Sequence, residues 1–112
     1  MFRWLACSAV FLLSIAVANG LPADEAYWID VRTAGEFNAE HVSGAVNVPY
    51  TEIAARIGEV TTDKDAPIYV YCRSGRRSGI ARETLIAQGF TNVTNLGGLQ
   101  EAQAKAGKAA DQ

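Results

Sequence analysis

The sequence predicts an α/β fold: one domain with a mainly parallel central sheet and helices on both faces. Three observations carry that expectation. Short β-branched and aromatic runs alternate with stretches whose apolar residues recur at helical spacing. The connections between them are of the length that βαβ units use. Setting aside an apolar N-terminal segment, the chain is long enough for one core and no more.

That segment comes first. Arg3 supplies a positive charge, Leu5 to Ala18 carry none, and Ala16-Val17-Ala18 ends the run with small residues. Charge, short apolar core and an A-x-A site read as a secretory signal occupying residues 1–18. The run is shorter than the roughly 20 residues of a membrane span. Cys7 precedes the apolar core, whereas a lipoprotein cysteine follows it. The expected address is a periplasm, or secretion beyond it, with no stable membrane anchor. Removing 18 of 112 residues leaves a 94-residue domain over 19–112, with nine basic residues against twelve acidic ones. That balance argues against nucleic acid as a partner.

In the remaining chain, Tyr27 to Val31 suits a buried strand, and Thr33 with Glu36 three residues later has the spacing of a helix capping box. Val46 to Val48 is a minimal strand before Pro49. Thr51 opens a helix through Ile53, Ala54 and Ile57 that Gly58 ends. Ile68 to Cys72 is the strongest strand signal. A helix is expected from Ser78 through Ile86, stopped by Gly89, then a strand from Phe90 to Asn95 around Val93 and a weaker helix from Leu99 to Lys105, with a frayed end.

Chemistry concentrates after the Ile68–Cys72 strand. With Cys7 removed, Cys72 is the only thiol and has no disulfide partner, so it is either a buried structural cysteine or a reactive one. It stands where a strand ends and a loop to a helix begins, which is where open parallel sheets bind ligands. Arg73, Arg76, Arg77 and Arg82 crowd the following residues of an otherwise acidic chain. They are either a solvated basic turn or a site for an anion. Lowering a thiol pKa by two units takes about 2.7 kcal/mol. One cation at ~5 Å in an effective dielectric of ~20 contributes roughly 3 kcal/mol, so thiolate formation here is physically easy. Gly75, with small Ser74 and Ser78, leaves room for successive amides to turn inward around an anion.

The stretch Cys72 to Arg77, leading into a helix at Ser78, resembles the active-site loop of rhodanese-like sulfurtransferases. Ile29-Asp30-Val31-Arg32 with Gly35-Glu36-Phe37 is similar to the family's strand-and-turn signature. His41 to Pro49 is similar to its histidine-to-proline motif, and Asn95-Leu96-Gly97-Gly98-Leu99 to its closing glycine pair. The match extends over nearly all of 19–112 and is nearest to the small exported single-domain thiosulfate sulfurtransferases. It departs from many members in having no tryptophan after Gly98, which makes the closing helix the weakest point of the likeness.

The resemblance implies that Cys72 attacks the outer sulfur of thiosulfate, releases sulfite, and passes the sulfur to cyanide or a thiol. It implies no metal and no organic cofactor. Arg76 takes the position of the sulfonate partner, Arg73 and Arg77 are secondary candidates, and the backbone of Arg73, Ser74, Gly75, Arg76, Arg77 and Ser78 forms the cradle. Asp30 and Arg32 support the site, first as a structural pair tying neighbouring loops. His41, in a turn before Gly44, is read as structural instead of as a base, and Trp28, Tyr69 and Tyr71 as sheet residues. A phosphatase or arsenate reductase would need arginine six positions after the cysteine, where this chain has Ser78. Two readings stay open beside thiosulfate sulfurtransfer. One is a persulfide carrier with another natural donor, the other a non-catalytic rhodanese-like binding module, although such modules usually lose the cysteine.

Overall fold

A computed structural model describes residues 26–110. The expected signal at 1–18 and the start of the domain lie outside the described residues. Four strands form one sheet in the order β2-β1-β3-β4, and every neighbouring pair is parallel. The strands are β1 (Tyr27–Asp30), β2 (Val46–Asn47), β3 (Ile68–Cys72) and β4 (Val93–Gly98). The helices are α1 (Ala34–Ala39), α2 (Ile53–Arg56, continued by a 3₁₀ turn Ile57–Glu59), α3 (Arg76–Ala87) and α4 (Leu99–Ala110). Among the described residues no helix is long and apolar enough to cross a membrane.

Strand periodicity explains the layers. Alternate side chains point to opposite faces. Ile29, Val31, Ile68, Val70 and Cys72 therefore meet Ile53, Ile57, Ala81 and Leu85 from α2 and α3. Tyr71 points the other way and joins Val42, Ala45, Leu99, Ala102 and Ala106, beside α1 and α4. Both faces are thus covered, as expected. Cys72, in phase with Ile68 and Val70, is aimed at the face that carries α3.

Element ends differ from the sequence reading for identifiable reasons. β1 stops at Asp30 because Arg32 folds back onto the Asp30 carboxylate, although Val31 still donates to the Tyr71 carbonyl (3.0 Å). α2 begins at Ile53 and not Thr51, since a turn closed by Glu52 N–H on the Pro49 carbonyl (2.8 Å) intervenes. Gly58 does not end the helix but lies inside its tightened last turn, a common helix terminus. α3 starts two residues before Ser78: Gly75 at φ +102° turns the chain directly into it. β4 runs Val93–Gly98, later than the apolar pattern suggested, and α4 continues to Ala110, past Lys105. α4 packs Ala102, which has no exposed surface, into the layer of Tyr71, Val42 and Ala45.

Candidate active site

β1 and β3 are neighbours, yet the chain leaves β1 towards β2 on one side and reaches β4 on the other side of β3. The crevice beyond their carboxyl ends is therefore a topological switch point, the place where open parallel sheets hold ligands. Asp30 ends one strand and Cys72 the other.

The Asp30–Arg32 pair at the end of β1 is structural in its contacts. The Arg32 guanidinium grips the fully buried Asp30 carboxylate through Nε (3.0 Å to each oxygen) and Nη2 (2.6 Å), and Nη2 also reaches the Glu40 carbonyl. Asn47 Nδ2 donates to the carbonyls of Asp30 and Arg32, both at 3.0 Å. Two buried charges are tolerable in this form because each is paired and further hydrogen-bonded. Together these bonds tie β1, β2 and the end of α1.

Cys72 has no exposed surface. Its Sγ receives the Gly75 N–H at 2.9 Å and lies 3.4 Å from the Ser78 hydroxyl. Gly75 is the N-cap of α3 and Ser78 its third residue. The first amides of a helix have no partner within it and carry the positive end of its dipole. Burial pushes the thiol pKa up, but the Ser78 hydroxyl and the amides of Ser78, Ser74 and Gly75 outweigh it, and the net direction is down. Hydrogen bonds to a charged group contribute about 1.5–3 kcal/mol each, so several of them suffice. Amides and a hydroxyl thus lower the thiol: inward amides were expected from Gly75 and its small neighbours, whereas the arginines expected to act beside them are not among the leading causes.

The arginines have separate places. Arg77 forms a two-point bond with Glu36 of α1 (2.9 and 3.1 Å). Glu36 is already the capping-box residue of α1, accepting from Thr33 N–H at 3.1 Å. Arg77 holds its carboxyl down at about 2, with smaller help from Thr33. Arg82 donates to the Val93 carbonyl (2.8 Å) and belongs to the α3–β4 packing. Arg73 and Arg76 are exposed, and among the described residues neither has an ion-pair partner. Exposed His41 bonds the Phe37 carbonyl through Nδ1 (2.7 Å) and stacks on the Phe37 ring. An open cavity of about 630 Å³ lies between α1, α4 and the first half of the loop, bordered by Arg32, Glu36, Arg73, Ser74 and Glu101.

The glycine pair explains how close the elements come. A Cβ on Gly98 would lie 2.5 Å from the Arg73 carbonyl oxygen, and one on Gly75 would lie 3.3 Å from Gly97 Cα. The loop backbone and β4 therefore touch through positions where no side chain fits. Asn95, which sequence reasoning passed over, bonds both the Gly75 carbonyl (Nδ2, 3.0 Å) and the Ser78 hydroxyl (Oδ1, 2.7 Å). Its signal was an asparagine, a residue depleted from strands, placed just before the glycine pair.

A family model described as rhodanese-like domain matches residues 16–105. The chain belongs to the rhodanese-like family. The thiosulfate sulfurtransferase PspE of Escherichia coli is 44% identical over 91 residues, 80% of this chain and 88% of that protein. The putative sulfur carrier protein YrkF of Bacillus subtilis is 38% identical over 68 residues, 61% of this chain but only 36% of its own length. The solved structure of a rhodanese with anions from E. coli superposes with a TM-score of 0.66 at 44% identity, covering 69% of this chain and 91% of that one. The segment from Cys72 to Arg77 runs from the end of β3 into the amino end of α3.

Proposed function

We propose that this rhodanese-like protein is a thiosulfate sulfurtransferase that carries sulfur on Cys72. One observation bears most of the weight: Sγ faces the Gly75 amide and the Ser78 hydroxyl at the start of α3, an environment that favours its anion. The Cys72 thiolate attacks the outer sulfur of thiosulfate. A new S–S bond forms to Sγ, the old S–S bond breaks, and sulfite leaves with its electron pair. The negative charge then rests on the outer sulfur of the persulfide. Cyanide or a thiolate attacks that sulfur, and Cys72 departs as thiolate, ready for another cycle. No electrons enter or leave.

Arg76, exposed at the first position of α3, is the group we assign to the donor's sulfonate, with Arg73 of the preceding loop as a second cation. Arg77 acts through Glu36 to fix the loop's far side. Asp30 and Arg32 shape the floor between β1 and α1. The similarity to PspE and to a rhodanese with anions supports thiosulfate as donor. The similarity to a putative sulfur carrier supports the second reading, a persulfide carrier with another donor. Residues 1–18 are assigned to an export signal and the periplasm to the mature protein, on the charge, apolar core and A-x-A pattern alone.

The test is mass spectrometry of purified protein after thiosulfate treatment. Cys72 should gain one sulfur atom, and thiocyanate should follow on adding cyanide. An unmodified Cys72 would defeat the choice of donor, and transfer surviving in Cys72→Ser would defeat the mechanism. Arg76→Ala should raise the KM for thiosulfate more than Arg82→Ala does. Equal effects would remove Arg76 from the sulfonate role.

A further inference from the structure

β4 reaches the sulfur site through a bulge. Val70 pairs with Asn95 and Cys72 with Gly98, so β4 holds one residue more than β3 between these rungs, and Gly97 absorbs it at φ +94°. Bulges beside functional sites re-aim side chains. This one sets the Asn95 carboxamide against the first turn of α3. Its Nδ2 donates to the Gly75 carbonyl at 3.0 Å, and its Oδ1 accepts from the Gly97 N–H at 2.9 Å. Those two bonds fix its facing, because a flipped carboxamide would oppose NH₂ to N–H and oxygen to oxygen. Oδ1 can only accept, so the Ser78 hydroxyl 2.7 Å away must donate when it bonds there. That hydroxyl has one proton and a second neighbour, Cys72 Sγ at 3.4 Å. Ser78 is fully buried.

We propose that Asn95 is a positioning residue that sets which way the Ser78 hydroxyl points: towards Asn95 while Cys72 is a thiol or a persulfide, and towards Sγ while Cys72 is a bare thiolate. This rests on the reading of Cys72 as the sulfur-carrying nucleophile. In the thiol, S–H is a donor, and the Ser78 oxygen can accept it while donating to Asn95. In the thiolate, Sγ is an acceptor with a full charge, and bonds to ions are about twice as strong as neutral ones. Its formation therefore gives up the Ser78–Asn95 bond, and Asn95 restrains the anion that the amides favour. Once a second sulfur is attached, the charge moves outward and the hydroxyl returns to Asn95.

Other ionisable groups lie on the elements around the site: Asp30 at the end of β1 and Arg32 just beyond it, Glu36 from α1, Tyr50 after β2, Tyr71 from the opposite face of β3, Arg73, Arg76 and Arg77 from the loop and α3, and Glu101 from α4. All stay in place in a cycle of Asn95→Ala, Ser78→Ala and the double variant, so their effects cancel. The measurement is the pH midpoint of Cys72 alkylation by iodoacetamide. With Ser78 present, Asn95→Ala should move the midpoint down, relative to its effect without Ser78, by roughly half a unit to one unit, the worth of one neutral hydrogen bond. Equal shifts in both backgrounds, or a relative shift upward, overturn the proposal. A water replacing the carboxamide can donate as well as accept, and so does not restore the restraint. Should a variant not fold, ¹⁵N signals of the unsubstituted protein serve: the Asn95 carboxamide should titrate with Cys72 and stop doing so in Ser78→Ala. A carboxamide that ignores Cys72, or follows it equally in Ser78→Ala, overturns it too. Thiosulfate takes no part in these assays, so failure to form a persulfide would fault the proposed function and leave this result separate.

Discussion

Gly98 is where one methyl group would be felt most at the site. Its missing Cβ would sit 2.5 Å from the Arg73 carbonyl oxygen and 2.8 Å from Glu101 Oε1, and the first of these is backbone. Gly98→Ala must therefore shift β4 or the loop, at about 1–3 kcal/mol for overpacking. The expected outcome is a lower melting temperature together with slower Cys72 alkylation at neutral pH. A variant that melts lower but alkylates at the normal rate would show that the contact supports the fold and not the cradle. At this scale the sequence was legible where chemistry is carried by residue type and position along one segment. Cys72, Gly75 and Ser78 stood out because they share one loop between a strand and a helix. Asn95 did not, because its bonds to Gly75 and Ser78 span 20 and 17 residues and depend on a bulge that no local pattern announces.

Between elements, the bond from α3 to α1 is the most informative. Glu36 caps its own helix through Thr33 and holds Arg77 across 41 residues. The capping box was readable from a three-residue spacing, whereas the second use of the same carboxylate needed the sheet to bring α1 beside α3. The helix start at Arg76 was misplaced because Gly75 caps it by backbone angle alone, with no side chain to signal it. The consequence for acid stability has a definite sign. The Glu36 carboxyl titrates near 4.5 when unfolded and about 2 when folded. Its stabilising effect is present above pH 4.5 and disappears as pH falls towards 2. Glu36→Gln should flatten this part of the acid unfolding curve and cost about 0.5–1 kcal/mol at neutral pH, the range of a partly exposed pair. An unchanged acid arm would show that the Arg77 bond does not persist in solution.

For the molecule as a whole, the division into two apolar layers was foreseeable from the alternation in Ile68 to Cys72, and it decides the fate of Tyr71. This residue is buried on the α1–α4 face, and its hydroxyl accepts the Val42 N–H at 3.0 Å. Burial, with Asp30 nearby, raises its phenol to about 12 from an ordinary 10.0. Stability is then complete below pH 10 and declines between 10 and 12 as the unfolded chain ionises first. Tyr71→Phe should remove that alkaline decline and cost about 1–3 kcal/mol at neutral pH by leaving a buried N–H unmatched. Persistence of the decline in the variant would assign it to another group. The opposite layer has its own consequence. Cys72 shows no surface to solvent, even though it is the one free thiol among the described residues. With its sulfur covered in this way, Cys72 offers no contact surface to the thiol of a second protein unless the residues around it move.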